Sequence, residues 1–124
     1  MKMLTMIIRP EKLSEVATAL QQAGATGMTI TEVRGRGFQK DAPQIYRGMV
    51  YQTDLIEKVK IETVVANDLL DDVLESAYAA ARTGQIGDGK IFVTEVFNVV
   101  QVRTEEQGEA AIKGPVVKMR GLSE

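Results

Sequence analysis

The residues best suited to chemistry lie together in Thr83-Gly84-Gln85-Ile86-Gly87-Asp88-Gly89-Lys90, three glycines in eight residues with an ammonium at the end. Closely spaced glycines let backbone N–H groups approach a phosphate without interference from a Cβ, and Lys90 adds a point charge. The chemistry this suits is the holding of a polyphosphate. The spacing is not that of a Walker A loop, and the segment follows a predicted helix and precedes a predicted strand, the reverse of the P-loop order. Read alone, a structural turn explains the stretch about as well. What shifts the balance is Arg103, on the face of a predicted last strand opposite Phe92 and Val100, where a guanidinium can turn toward the same anion.

Composition removes other chemistries. The 124 residues include no Cys and no His, which excludes thiol nucleophiles, thiolate or imidazole metal sites and His-based acid/base mechanisms. A balance of 15 Lys plus Arg against 17 Asp plus Glu gives a net charge of −2. Without a broad electropositive field, nucleic acid is not an expected partner. No apolar run approaches the ~18 residues of a membrane span, and the amino terminus does not read as a signal sequence. A single soluble, cytoplasmic domain is expected, its core mostly aliphatic and in no need of disulfides or structural metal.

The elements that must position the glycine loop follow from changes in hydrophobic period. Met3 to Ile8 suits a buried first strand. Pro10 marks a helix start, Leu13, Val16, Ala17, Leu20 and Ala23 recur at helical spacing, and Gly24 supplies a left-handed stop. Met28 to Val33 reads as a second strand leading into Arg34-Gly35-Arg36-Gly37. A third strand over 58–66 places Val59, Ile61, Thr63 and Val65 on one face and Lys58, Lys60, Glu62 and Val64 on the other. Asn67 or Asp68 is expected to cap a second helix with the stripe Leu69, Leu70, Val73, Leu74, Ala77, Tyr78 and Ala81. Asp71, Asp72 and Glu75 near its amino end suit the helix dipole. Ile91 to Arg103 is almost entirely strand-forming, and the tail beyond it, basic at Lys118 and Arg120, reads as a lid or a flexible end.

This order is β-α-β, a long loop, then β-α-β. It predicts an α+β, ferredoxin-like βαββαβ sandwich with an antiparallel four-stranded sheet and two helices on one face. The connection over 37–57 runs to about twenty residues, a length that is usually functional or disordered. The helix-free sheet face would leave Val, Ile and Phe side chains uncovered, so oligomer formation through it is expected.

The glycine loop, together with Gly27-Met28-Thr29-Ile30-Thr31-Glu32-Val33, Gln39-Lys40, Tyr46-Arg47-Gly48, Tyr51 and Lys58-Val59-Lys60-Ile61-Glu62, resembles the PII nitrogen-regulatory signal proteins. The likeness runs without a gap over 1–112, leaving 113–124 as an extension. It implies a non-catalytic homotrimer with ATP or ADP in clefts between subunits and 2-oxoglutarate beside Mg-ATP. The loop over 37–57, the family's T-loop, would reach into a partner such as an ammonium channel, another transporter or a metabolic enzyme. Carried over by position, Gly87, Asp88, Gly89 and Lys90 form the phosphate loop, with Arg103 reaching the phosphates. The adenine side uses Thr29, Glu62 and Val64, with Gly35, Gly37 and Phe38 alongside the nucleotide. Gln39 offers an oxygen to Mg²⁺, and Lys58 pairs with a 2-oxoglutarate carboxylate. Tyr51 matches a position that is uridylylated in some members.

The chain also departs from that pattern. Gln101 stands where the family usually has an arginine, and Asp41 puts a carboxylate where a glycine is common. Met49 and Val50 make the loop tip more apolar, which suggests a different partner surface. A divergent adenylate sensor without a 2-oxoglutarate response therefore stands as the alternative. A slow nucleotide phosphohydrolase, with Asp88 or Glu62 as base, is a further one.

Overall fold

Alternation in the first strand decides the fold. The computed structural model describes residues 1–36, 44–46, 49–51 and 55–114. β1 (Lys2–Ile8) buries Leu4, Met6 and Ile8 on one face, each worth about 2 kcal/mol relative to an exposed position. A 3-10 turn at Pro10–Lys12 leads into α1 (Leu13–Gln22), which buries Val16 and Leu20 and stops at Gly24, where φ is +111°.

β2 (Thr29–Gly35) and β5 (Ile56–Val65) flank a two-stranded hairpin of β3 (Gln44–Tyr46) and β4 (Met49–Tyr51). The connection over 37–57 therefore contains regular structure that its lack of apolar periodicity did not signal. α2 (Leu70–Ala81) follows a 3-10 turn at Asn67–Leu69 and carries Asp71 and Asp72 in its first turn. Contrary to expectation, no side chain caps it, because the 3-10 turn leads straight into it from the backbone. Val73, Ala77 and Ala81 are buried as the stripe predicts, but Tyr78 is half exposed.

β6 (Gly89–Glu95) completes an antiparallel sheet in the order β2-β5-β1-β6, the ferredoxin-like arrangement. One aliphatic cluster joins Leu4, Met6 and Ile8 to Val59, Ile61 and Val65 and to the buried faces of α1 and α2. Both helices therefore cover the same sheet face. No helix among the described residues is long and apolar enough to cross a membrane.

The last strand is shorter than its composition predicts. β1 offers backbone partners only from Met1 to Ile8, and Val96 N–H, donating to Met1 O at 3.0 Å, makes the last of these bonds. The chain then turns back on itself. Gln101 N–H donates to Glu106 O and Glu105 N–H to Gln101 O, both at 2.8 Å, and Val100 bridges Gln107. Part of the expected tail is also ordered. α3 (Glu109–Ile112) buries Ala111, and Thr26 Oγ1 donates to Ile112 O. Lys118 and Arg120 lie outside the described residues.

Candidate functional site

The 83–90 segment connects the end of α2 to β6, and its glycines have local reasons to be glycines. Gly84, Gly87 and Gly89 adopt φ of +89°, +106° and +105°. A Cβ on Gly89 would lie 1.7 Å from Ile7 O, so the start of β6 can approach β1 only without a side chain there. The turn explanation therefore accounts for all three glycines.

Asp88 organises the loop. Its Oδ2 accepts from the N–H groups of Thr83 and Gly84, both at 2.8 Å, and its Oδ1 accepts from Thr83 Oγ1 and from Arg9 Nε, the latter at 3.0 Å. The Thr83 hydroxyl is the largest of the influences holding this carboxyl well below the usual carboxylate range, followed, against a desolvation penalty, by the Thr83 amide, Arg9 and the Gly84 amide. Arg9 Nη2 also donates to Ile86 O at 2.9 Å, and Lys58 Nζ donates to Gly87 O at 2.5 Å. Burial first, and then the Arg9 charge, lower the Lys58 ammonium from its ordinary value of 10.5.

Lys58 and Lys90 share the helix-free face with the adenine-side residues. In an antiparallel pair, opposed residues project to the same side. The register therefore forms one row of Thr29, Glu62, Thr5 and Phe92, and a second of Thr31, Lys60, Ile7 and Lys90. Lys58 is opposite Val33, and Val64 is opposite Met3. Glu62 is 3.6 Å from Lys60, while exposed Lys90 has no ion-pair partner among the described residues.

One cleft borders this face, and a second lies between α2 and the helix-covered side of β6. The first, of about 490 Å³, is lined by Thr29, Glu62, Val64 and Gln101 and walled by residues 111–114. The second, about 300 Å³, is lined by Tyr78, Ala81 and Arg82 at the end of α2, by Ile8 and Ile91, and by Asp88, Gly89 and Lys90. They have no lining residue in common. At about 4.8 Å per strand and about 3.3 Å per residue, Lys90 stands ~16 Å from Thr29.

Several expected site residues are placed differently. Arg103 is exposed in the turn at 102–104 and does not extend the last strand, because β6 has no partner beyond Val96. Gly35 closes β2, with an ideal Cβ position 3.8 Å from Lys58 Cγ. Gly37, Phe38, Gln39, Lys40, Asp41 and Arg47 lie outside the described residues. Tyr51 lies in β4, in register with Gln44. No group of three acidic side chains able to hold a metal ion occurs among the described residues. Reading along the sequence missed Arg9 and Thr26, and gave Thr83 no role of its own. For Arg9 the available signal was its place one residue beyond the first strand, at the end of the sheet where the glycine loop enters.

Comparison with known proteins identifies the family. A family model described as Nitrogen regulatory protein P-II matches residues 1–106. Nitrogen regulatory protein P-II 2 of Methanothermobacter thermautotrophicus is 53% identical over 112 residues, covering 90% of this chain and 97% of that one. Nitrogen regulatory protein P-II of Klebsiella oxytoca and P-II 1 of Escherichia coli are each 49% identical over 112 residues, covering 90% of this chain and 100% of theirs. Fold, glycine loop and similarity over nine-tenths of its length agree that the chain belongs to the nitrogen regulatory protein P-II family of signal-transduction regulators.

Proposed function

We propose that this cytoplasmic protein binds ATP or ADP in clefts between the copies of a homotrimer, and takes up 2-oxoglutarate beside Mg-ATP. The 37–57 loop then reports ligand state to an ammonium channel, another transporter or an enzyme of nitrogen and carbon metabolism. Residues 1–112 form the ligand-binding domain, and 113–124 an extension. Gly87, Gly89 and Lys90 hold phosphates, joined by Arg103. Thr29, Glu62 and Val64 hold the base, with Gly35, Gly37 and Phe38 alongside. Lys58 meets a carboxylate of 2-oxoglutarate, Gln39 contributes to Mg²⁺, and Tyr51 is available for uridylylation. The Asp88 side chain acts on the loop and not on the ligand, because its carboxylate oxygens are already engaged.

The observation carrying this reading is that Thr29 and Lys90 stand on the two opposite edge strands of the helix-free face, with Thr29, Glu62 and Val64 lining a cleft that the glycine loop does not reach. Two copies packed through this face can set the glycine loop of one against the Thr29 and Glu62 cleft of the other, a site that a nucleotide spans. A regulatory role suits Asp88 better than hydrolysis does, since a carboxyl held this far below its usual range is a weak general base. The adenylate-sensor reading without 2-oxoglutarate is favoured by Asp41, a carboxylate that opposes closure around a dianion.

Calorimetric titration tests these readings. Mg-ATP and Mg-ADP are expected to bind, with affinity falling on the order of tenfold in Lys90→Ala, and 2-oxoglutarate is expected to bind only after Mg-ATP. Nucleotide binding without a 2-oxoglutarate response selects the adenylate sensor. Absence of nucleotide binding overturns both. Steady phosphate release from ATP that disappears in Lys90→Ala replaces both with a phosphohydrolase.

A further inference from the structure

Three consecutive residues of the glycine loop are each held by a cation from the ends of the neighbouring strands. Arg9 reaches Ile86 O at 2.9 Å and Asp88 Oδ1 at 3.0 Å, and between these contacts Lys58 takes Gly87 O at 2.5 Å. The Arg9 and Asp88 side chains are only 18% and 23% exposed, so their contact is partly desolvated and firmer than a surface ion pair. One guanidinium thus spans two acceptors two residues apart, which a single ammonium head cannot do with the same fixed geometry.

In a trans peptide the C=O and the following N–H point in opposite directions. Drawing Ile86 O and Gly87 O toward Arg9 and Lys58 therefore aims the N–H groups of Gly87 and Asp88 away from those cations. We propose that Arg9 is a positioning residue that, with Lys58 beside it, turns these two amides outward to receive the anionic group of a nucleotide. Arg9 also neutralises the Asp88 carboxylate, which would otherwise repel a phosphate at the same loop. This role rests on the nucleotide reading above and adds to it a residue that does not touch the ligand.

The test uses the full chain with Arg9→Gln and Arg9→Lys, titrated with Mg-ATP by calorimetry and with adenosine by ligand-observed NMR. Arg9→Gln is expected to weaken ATP binding on the order of tenfold and to leave adenosine unchanged, with Arg9→Lys recovering part of the loss. Hydrogen exchange at the amides of residues 83–88 is expected to accelerate in Arg9→Gln while that of β1 does not. ATP affinity within about twofold of the parent in folded Arg9→Gln overturns the proposal, as does an equal loss for ATP and adenosine. If the parent protein binds no nucleotide, the nucleotide reading fails by itself and loop exchange decides. Faster exchange at 83–88 then supports Arg9 as the residue that shapes the loop, and unchanged exchange overturns it.

Discussion

Asp88 accepts four hydrogen bonds within the described residues, from Arg9 Nε, Thr83 N–H, Thr83 Oγ1 and Gly84 N–H. All four favour the charged form, which is why its carboxyl titrates below the ordinary value of 3.8. A folded-state value lower than the unfolded one means that ionisation of Asp88 stabilises the fold above the unfolded value. That contribution is lost as pH falls through the depressed folded value. Asp88→Asn keeps the shape, but it removes the charge and turns an NH₂ toward donors. Its melting temperature is expected to lie below that of the parent by a constant gap from about pH 7 to about pH 5, and the gap narrows below about pH 4, where the unfolded parent takes up a proton that folded Asp88 does not. A gap independent of pH down to acid unfolding would show that Asp88 acts through shape alone.

At the scale of elements, the turn between α2 and β6 separates backbone freedom from close approach. Gly84 has φ of +89° with nothing within 4 Å of an ideal Cβ, so Gly84→Ala faces only left-handed backbone strain of about 1–2 kcal/mol. Gly89 has φ of +105° and an ideal Cβ position 1.7 Å from Ile7 O, so Gly89→Ala must also separate β6 from β1. That substitution is expected to cost about 4 kcal/mol or more in denaturant unfolding, and equal costs at the two positions would refute the distinction. What was legible from sequence was local. The period of β1, the stop at Gly24 and the buried face Val59, Ile61, Thr63 and Val65 each follow from spacing within one segment. The end of β6 was not legible, because it depends on how far its partner β1 extends. Nor was the Arg9–Asp88 contact, which joins residues 79 positions apart. At α2, the expected Asn or Asp cap gave way to a 3-10 turn, a backbone alternative that residue preference does not reveal.

For the whole molecule, the apolar surface and the proposed nucleotide site point to the same requirement. Phe92 is half exposed on the helix-free sheet face, while Phe97 and Val102 are almost fully exposed beyond the end of β6. In the proposed homotrimer these side chains are covered by neighbouring copies. The same packing would set the Lys90 loop of one copy against the Thr29 and Glu62 cleft of the next. This arrangement predicts complementation. Lys90→Ala and Glu62→Ala each damage every cleft in their own homotrimers, one on the phosphate side and one on the base side. When the two are co-assembled in equal amounts, a cleft is intact wherever an unaltered Lys90 meets an unaltered Glu62 from the neighbouring copy, roughly a quarter of all clefts under random cyclic assembly. Calorimetry on the mixture should therefore recover a fraction of high-affinity ATP sites that neither variant has alone. A site contained within one chain would recover none, since every chain in the mixture carries one of the two defects.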